Sequence, residues 1–305
     1  MTDKSGLINE LKVINICKVM QQLLAEGEQT KLDLVVSTGL SNTTISDSIN
    51  RLVSLGIVDI CGTEKSMGGR RPAIYRIIPE YGIFLGVVLR KDALRLSVVD
   101  MKGDPIRHYP WLPYDGKPII YKVREALELG ITDFSGRTVL AAGFGVAGKI
   151  DPKEGVIIES ADLGWSNVPL KENIERQYGF FVYIDHEINN VAVWQKALGK
   201  ARHMSSFICQ MKECPTKTAL YLDGHLCMGQ ENLCGAWNNM EQPDCFLRDA
   251  VEFLGLEAVV SGQEAGTPLT AVKGVEVFDT DETTLSYASS VMAELKWFRH
   301  ISELM

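Results

Sequence analysis

The sequence lacks the features that mark membrane, secreted or disulfide-stapled proteins. No apolar run approaches the roughly 20 residues needed to span a bilayer. The first twelve residues, MTDKSGLINELK, lack the apolar core of a signal peptide. The seven cysteines are odd in number and include no Cys-x-x-Cys pair, which is typical of reduced thiols. We therefore expect a cytoplasmic protein without membrane contact.

A strongly basic segment is also absent. The 305 residues carry a net charge of −8, and the first 80 contain nine Lys and Arg and nine Asp and Glu. All of the excess negative charge therefore falls on residues 81–305, which makes that part a poor partner for nucleic acid. Any DNA affinity of residues 1–80 must come from local patches and from the avidity of a dimer.

Residues 30–56 have the pattern of two short helices joined by a tight turn. Gly39 suits the turn because it lacks a side chain, and Ser41 is a good N-cap for the second helix. Four apolar residues at helical spacing predict a buried stripe on that helix: Ile45, Ile49, Leu52 and Val53. The pattern is that of a helix-turn-helix.

The remaining positions of the second helix are short and polar, as a helix that enters a DNA groove requires. The residues that we predict to contact DNA here are Ser41, Asn42, Thr43, Thr44, Ser46, Asn50 and Arg51. Asp47 shares this face, where it could pair with Arg51 or accept from a cytosine amino group. The alternative is an ordinary amphipathic helix whose polar face is merely solvated.

The flanking segments favour the DNA interpretation. A helix is predicted over 13–25, a strand over 57–60, a hairpin tip over 63–71 and a returning strand over 73–78. This order predicts a winged helix-turn-helix in residues 1–80, with Arg70 and Arg71 placed to reach phosphates or the minor groove. A solvated turn, or a contact to the following domain, is the alternative for these two arginines.

Residues 81–305 alternate between predicted strands and helices after an opening antiparallel pair at 83–89 and 94–99. Further strands are predicted at 138–146, 156–158, 181–184, 207–211, 218–222 and 257–260. Helices are predicted at 117–129, 170–178, 188–198, 245–254 and 285–301. The alternation indicates an α/β body.

Several motifs in this order resemble the ROK family of repressors and sugar kinases. They are SNTTISDSINRLVSLGIV, GGRRP, FLGVVLRKDALRLSVVDMKG, GFGVAGKID, LGWSNVPL and DHEINN, beginning at residues 41, 68, 84, 143, 163 and 185. The resemblance implies a winged helix-turn-helix followed by an α/β, actin-like, two-lobed body with a shortened second lobe. It places lobe one at about 83–185 plus the helix 285–305, and lobe two at about 186–284.

The departures from the family's kinases concern both phosphate loops. The resemblance aligns the Asp-x-Gly-Gly-Thr loop with residues 88–92, Val-Leu-Arg-Lys-Asp, which contain no glycine. The glycines of the second loop fall on Pro215, Lys217 and Ala219. Without glycine the backbone amides cannot turn onto a phosphate, and proline has no amide hydrogen to donate. We therefore expect no nucleotide cofactor and no kinase activity.

The sugar site that the resemblance implies is altered as well. The family's catalytic Asp corresponds to Glu187, one methylene longer, and its neighbouring Asn to His186. Asp162 stands in place of another Asn, and the sugar-binding Glu and zinc-binding His fall in residues 235–239, Gly-Ala-Trp-Asn-Asn, where neither occurs. The cysteines show no zinc-ligand spacing, so no metal is predicted. His186 could instead be a structural side chain, Asp185 a helix cap and Asn167 a turn residue.

We therefore interpret the chain as a DNA-binding transcriptional regulator, a repressor, that acts on double-stranded DNA as a homodimer or homotetramer. The candidate effector-binding residues are Asp162, Asn167, His186 and Glu187. Asp162, His186 and Glu187 make the cleft more acidic, which favours a cationic, amino-bearing or phosphate-free ligand instead of a free sugar, or no ligand at all. The alternative is a sugar kinase that uses Glu187 as its base.

Overall fold

The computed structural model describes residues 4–63, 71–210, 218–228, 253–254, 256–262, 276–280 and 282–304. Residues 4–77, which we call the head, contain three helices: α1 Lys4–Glu26, α2 Lys31–Thr38 and α3 Asn42–Ser54. Three short strands complete it: β1 Gln29–Thr30, β2 Val58–Thr63 and β3 Ala73–Ile77. They form one antiparallel sheet in the order β1-β3-β2. Helix α1 begins nine residues before the predicted helix at 13–25.

The body follows a 3₁₀ turn at Pro79–Tyr81. Its first sheet has the order β12-β8-β4-β5-β6, with β7 paired to β5. These strands are β4 Gly82–Leu89, β5 Ala93–Asp100, β6 Pro105–His108, β7 Leu112–Pro113, β8 Thr138–Val146 and β12 Phe181–His186. A small antiparallel sheet, β11-β10-β9, consists of Lys149–Asp151, Val156–Ser160 and Trp165–Val168 in chain order. Helices α4 Ile119–Asp133, α5 Leu170–Tyr178 and α6 Glu187–Ala197 connect the strands.

The second large sheet repeats the topology of the first. It has the order β15-β14-β13-β16-β17, from β13 Phe207–Gln210, β14 Thr218–Leu222, β15 His225–Leu226, β16 Ala258–Gly262 and β17 Glu276–Thr280. In each sheet the three strands that come first in the chain, β4-β5-β6 and β13-β14-β15, pair with one another in antiparallel fashion. The two later strands, β8 and β12 or β16 and β17, add in parallel on the free side of β4 or β13. The body therefore consists of two lobes with the same strand order.

A closing helix, α7 Glu282–Leu304, packs against the first sheet, α6 and α1. One hydrophobic cluster joins residues of the head to Phe84 of β4 and to Val291 and Trp297 of α7. The helix predicted at 245–254 lies outside the described residues except for 253 and 254, which are helical. In the part of the chain described, no helix is long and apolar enough to cross a membrane.

Helix α7 carries a buried acid, Glu294, whose carboxyl faces the β5–β6 turn. Burial raises the pKa of Glu294 well above its usual value, and the nearby carboxylates of Asp100 and Asp104 raise it further. Lys102 lies in the same turn, where it pairs with Asp104 at 3.9 Å. The folded protein therefore holds this carboxyl in its protonated form above the pH at which it ionises in the unfolded chain.

We expect Glu294→Gln to flatten the pH dependence of stability. The raised pKa means that the native state binds the proton more tightly than the unfolded state, so stability is greatest below the usual pKa of Glu and falls as pH rises through the native value. The variant keeps the shape of the protonated acid and removes this loss. Urea unfolding between pH 4 and pH 9 measures it. Glu26→Gln, a change at an exposed position of α1, is the control, and an unchanged slope in Glu294→Gln contradicts the assignment.

Candidate functional site

The α2–α3 turn of the head is fixed at both of its ends. Thr30 and Asp33 form a reciprocal capping box at the start of α2. Gly39 ends α2 with φ of 70°, a left-handed conformation that favours glycine. Ser41 caps α3 by accepting from the Thr44 amide at 3.1 Å. The turn and the N-cap predicted from the sequence are confirmed, and together they set the angle between the two helices.

Helix α3 buries one face and exposes the other. Its buried side chains are Ile45, Ser48, Ile49 and Leu52. Val53 was predicted in this stripe, but it is 39% exposed, and the small Ser48 takes its place against the core. Five of the residues predicted to contact DNA from this helix and its N-cap are exposed: Ser41, Asn42, Thr43, Asn50 and Arg51. Ser46 is half-buried, and the Ser41 and Thr44 hydroxyls lie 2.9 Å apart.

The β2–β3 hairpin lies directly after α3. Arg71 precedes β3 and is exposed, whereas Arg70 and the rest of the tip, residues 64–70, lie outside the described residues. On the strands themselves, Arg76 donates to Asp59 through Nε at 3.0 Å, so this arginine is already charge-compensated. The described part of the hairpin therefore carries one exposed arginine, Arg71, in addition to the Arg76–Asp59 ion pair on its strands.

In the body, three strands of the first sheet end side by side. Leu89, Val146 and His186 are in register as the last residues of β4, β8 and β12, which run parallel. Arg90, Ala147 and Glu187 follow them directly. Ligands in open α/β sheets bind outside the carboxyl ends of parallel strands, so this edge is the candidate ligand site of the body.

Arg90 and Glu187 form an ion pair at this edge. Arg90 Nη2 lies 3.1 Å from Glu187 Oε1, and the Glu187 side chain is only 10% exposed. The sequence interpretation treated the loss of glycine at residues 88–92 as a loss of amide donors only. The structure adds that Arg90 in this loop pairs with Glu187, the carboxylate that the resemblance aligns with a catalytic base. The predicted acidity of the cleft therefore did not account for this compensating charge.

A tryptophan lies between two arginines beside this pair. The Trp111 ring has the Arg90 guanidinium 4.8 Å and the Arg95 guanidinium 4.1 Å from its centroid, distances typical of cation–π contacts. The Tyr114 hydroxyl donates to the Arg90 carbonyl at 2.8 Å. These contacts fix the loop that the resemblance aligns with a phosphate loop. Sequence reasoning missed them because no local pattern links residues 90, 111 and 114.

The first turn of α6 is organised by Asp185, which is fully buried. Its Oδ1 accepts from the His186 amide at 2.7 Å and from the Asn189 side chain at 2.9 Å. Its Oδ2 accepts from the Tyr183 hydroxyl at 2.7 Å, and burial raises the pKa of Tyr183, with the Asp185 charge adding to the effect. His186 is the N-cap residue, without a side-chain capping bond, so the cap predicted for Asp185 is displaced by one residue.

The other two candidate effector residues lie on the small sheet, which contacts this edge where the Ser160 hydroxyl donates to the Ala147 carbonyl at 2.6 Å. Asp162 and Asn167 belong to the segment of β10 and β11 in the small sheet, and both are exposed. Asn167 has φ of 53°, the left-handed conformation that asparagine tolerates better than most residues. The structure thus pairs Glu187 with Arg90 beside His186 at the edge, and places Asp162 and Asn167 on the hairpin of β10 and β11.

The second predicted phosphate strip is only partly described. Ala219 lies in β14, fully buried and paired with Cys209, while Pro215 and Lys217 lie outside the described residues, as do residues 235–239. Across the residues with described positions, no group of three His, Cys, Asp or Glu side chains could hold a metal ion.

Comparison with known proteins agrees with this geometry. The model of the ROK family matches residues 122–239. A xylose repressor of Caldicellulosiruptor bescii is 26% identical over 232 residues, which cover 74% of this chain and 58% of the repressor. The chain spans between 49% and 61% of the length of four repressors of this kind that it matches.

Two solved structures share the fold. A ROK family transcriptional regulator, a homologue of the Escherichia coli MLC protein, has a TM-score of 0.71 at 11% identity and covers 96% of this chain and 99% of its own. A ROK family glucokinase from Streptomyces griseus, solved with glucose and AMPPNP, has a TM-score of 0.59 at 14% identity, covering 70% and 99%. The resemblance to the ROK family that the motifs indicated is therefore confirmed.

Proposed function

We propose that this protein is a DNA-binding transcriptional repressor whose body binds a sugar effector and does not phosphorylate it. The observation that carries the proposal is the head: a capped turn presents the polar face of α3 to solvent, directly followed by a hairpin with an exposed arginine. We interpret these elements as a winged helix-turn-helix, with α3 as the recognition helix and the β2–β3 hairpin as the wing.

The relatives support this function and suggest an effector. The curated relatives that share about a quarter of their residues with this chain bear the name xylose repressor. D-xylose is therefore the first effector to test at the edge formed by Arg90, His186 and Glu187. Residues 1–80 carry no net positive charge, which favours two heads acting together, so we propose a homodimer or homotetramer on a palindromic operator.

The absence of kinase activity is the second part of the proposal, and Arg90 supports it. Arg90 belongs to the loop in which a kinase of the family would present glycine amides to a phosphate. Its guanidinium pairs with Glu187, the residue that the resemblance aligns with the catalytic base. A general base must be free to take a proton from the sugar hydroxyl. Kinases of the family share the fold, and a carboxylate persists at residue 187, so sugar phosphorylation is the second candidate function.

A selection of duplex sequences by the purified protein, with and without D-xylose, tests the first part. We expect a palindromic sequence to be enriched, and the sugar to reduce its retention. Failure to enrich any sequence at modest ionic strength contradicts the DNA-binding assignment.

A thermal-shift assay with ATP and Mg²⁺ tests the second part. We expect no stabilisation, whereas a ligand at 100 times its dissociation constant stabilises the native state by about 2.7 kcal/mol. The Streptomyces griseus glucokinase is the positive control, since it was solved with AMPPNP. Stabilisation by ATP together with transfer of phosphate to D-xylose or D-glucose would establish the kinase instead.

Arg70→Ala combined with Arg71→Ala tests the wing. Because these cations would contact phosphates, we expect lower affinity for all duplexes and a plot of log K against log salt that is shallower by about 0.9 for each phosphate that is no longer neutralised. Arg76→Ala is the matched control, an arginine on the same hairpin that is already paired with Asp59. A salt slope equal to that of the unchanged protein excludes the wing from the interface.

A further inference from the structure

Helix α7 lies so close to the first sheet that the glycines facing it on β4 and β8 could not carry a side chain. A methyl group placed on Gly143 would overlap the Ser289 carbonyl oxygen, and one on Gly86 would overlap the Ser290 backbone and hydroxyl. The Ser290 hydroxyl also lies 2.6 Å from the Ser97 hydroxyl on β5. Because these contacts are at van der Waals limits, α7 moves only with its neighbours or by a discrete change in position.

Ser289 of α7 also forms a hydrogen bond with α6, the helix that begins at the candidate ligand site. Asn190 donates through Nδ2 to the Ser289 hydroxyl at 3.1 Å, and both residues are buried. Asn190 is three residues after Glu187, so it lies on the next turn of the helix. A displacement of the first turn of α6 therefore reaches Ser289 through a single side chain.

A second set of contacts joins α7 to the residues just before α6. The Lys296 ammonium lies 4.6 Å from the centre of the Tyr183 ring, and the Tyr183 hydroxyl donates to Asp185. Asp185 in turn accepts from the amide of His186, one of the candidate ligand-binding residues. Ser289 and Lys296 are seven residues apart, which places both on one side of α7.

The later half of α7 belongs to the core of the head. Trp297 and Val291 share a hydrophobic cluster with Ile16, Val19 and Met20 of α1, and the Trp297 and Phe84 rings meet edge to face at 5.5 Å. Helix α1 in turn packs against α3. One rigid helix therefore contacts both the element that starts at the ligand site and the element that supports the recognition helix.

We propose that α7 couples ligand binding at the Arg90–Glu187 edge to the position of the head, with the Asn190–Ser289 hydrogen bond as the joint. This inference rests on the proposed function. A sugar that contacts His186 or Glu187 changes the first turn of α6, Asn190 transfers the change to α7, and α7 shifts against α1. Because coupling is reciprocal, bound DNA alters the affinity for the sugar by the same factor.

Ser289→Ala removes the Asn190–Ser289 hydrogen bond with little change in side-chain volume. We expect the affinity for DNA without sugar and the affinity for D-xylose without DNA to stay within about threefold of the unchanged protein. The ratio of DNA affinities without and with D-xylose, about 5 to 150 for a typical coupling, should fall towards 1. Asn190→Leu combined with Ser289→Ala is the second variant, because it leaves neither partner unsatisfied if the single change unfolds the protein.

Ser97→Ala is the matched control, since it removes a hydrogen bond to α7 from the side of the sheet and leaves α6 untouched. Hydrogen exchange of α1 in the protein without ligand gives a second readout. Because the Asn190–Ser289 bond links α7 to α6 whereas the Ser97–Ser290 bond links α7 to the sheet, loss of the first bond should speed exchange at residues 16–23 about fivefold, and loss of the second should not.

The outcomes separate this inference from the proposed function. If D-xylose binds the unchanged protein and both joint variants keep the full ratio, or if α1 exchange is the same in all variants, α7 is not the coupling element. If D-xylose does not bind, the effector assignment is wrong. Hydrogen exchange of α1 alone then decides whether α7 couples the Arg90–Glu187 edge to the head.

Discussion

Asn42→Ala combined with Asn50→Ala is expected to weaken binding to the selected operator by about 2–6 kcal/mol, because an asparagine that bonds to a base edge contributes about 1–3 kcal/mol of discrimination. This corresponds to roughly 30-fold to more than 10,000-fold in the dissociation constant. Both side chains are exposed on α3 and neither is the N-cap. Alanine is the best helix former, so the helix itself should not lose stability.

The diagnostic feature of this prediction is the contrast with the wing. Neither asparagine carries a charge, so affinity for unrelated duplexes and the salt dependence should stay as they are, whereas the wing variant should lose affinity for every duplex. Titration of labelled operator and of a scrambled duplex at two salt concentrations measures both. Gln21→Ala, an exposed amide on α1, is the control. Equal losses on the two duplexes would show that α3 does not read bases.

The head was the part most open to prediction, because its signals are local. A glycine with positive φ, a serine N-cap and apolar residues at helical spacing each act over three or four residues, and the structure places nearly all of them as expected. The single apolar residue of this stripe that is misplaced is Val53, which is 39% exposed. Spacing identifies a face, but the width of that face depends on the neighbouring helix, which here accepts Ser48 in preference to Val53.

Edge strands were harder to predict than central ones. The central strands β4 and β8 are buried over long apolar runs, which the sequence displays directly. Strands β6 and β7 contain Pro105 and Pro113, residues that break strand patterns and are tolerated at a sheet edge. Helix α1 extends back over Gly6, a poor helix former, although Leu7, Leu11 and Ile14 fall at helical spacing.

The candidate ligand site was predictable in its position but not in its charge. The motifs identified residues 185–190 and the altered loop at 88–92 separately. The contact between Arg90 and Glu187 joins residues 97 apart, and only the register of β4, β8 and β12 brings them together. Arg90, which the resemblance aligns with a glycine, supplies a charged group at this place, whereas the sequence comparison identified only the missing glycine.

Gly143→Ala is expected to cost the protein about 3 kcal/mol or more of its free energy of unfolding, at the upper end of the range for overpacked cores. The added methyl group would overlap the carbonyl oxygen of Ser289, a backbone atom of α7 that cannot rotate away. Helix α7 would have to lift from β8, and its hydrogen bonds with Ser97 and Asn190 would lengthen together.

Thermal unfolding followed by circular dichroism measures this loss, which should lower the melting temperature by roughly 2–4 °C for each kcal/mol in a protein of this size. Gly136→Ala is the matched control, because Gly136 has no neighbouring atom within 4 Å of an added methyl group and no positive φ. That change should be neutral, or stabilising by about 0.4–1 kcal/mol through the unfolded chain. A Gly143 variant as stable as the control would mean that α7 is free to slide over the sheet, and a helix free to slide could not transmit a displacement from α6 to the head.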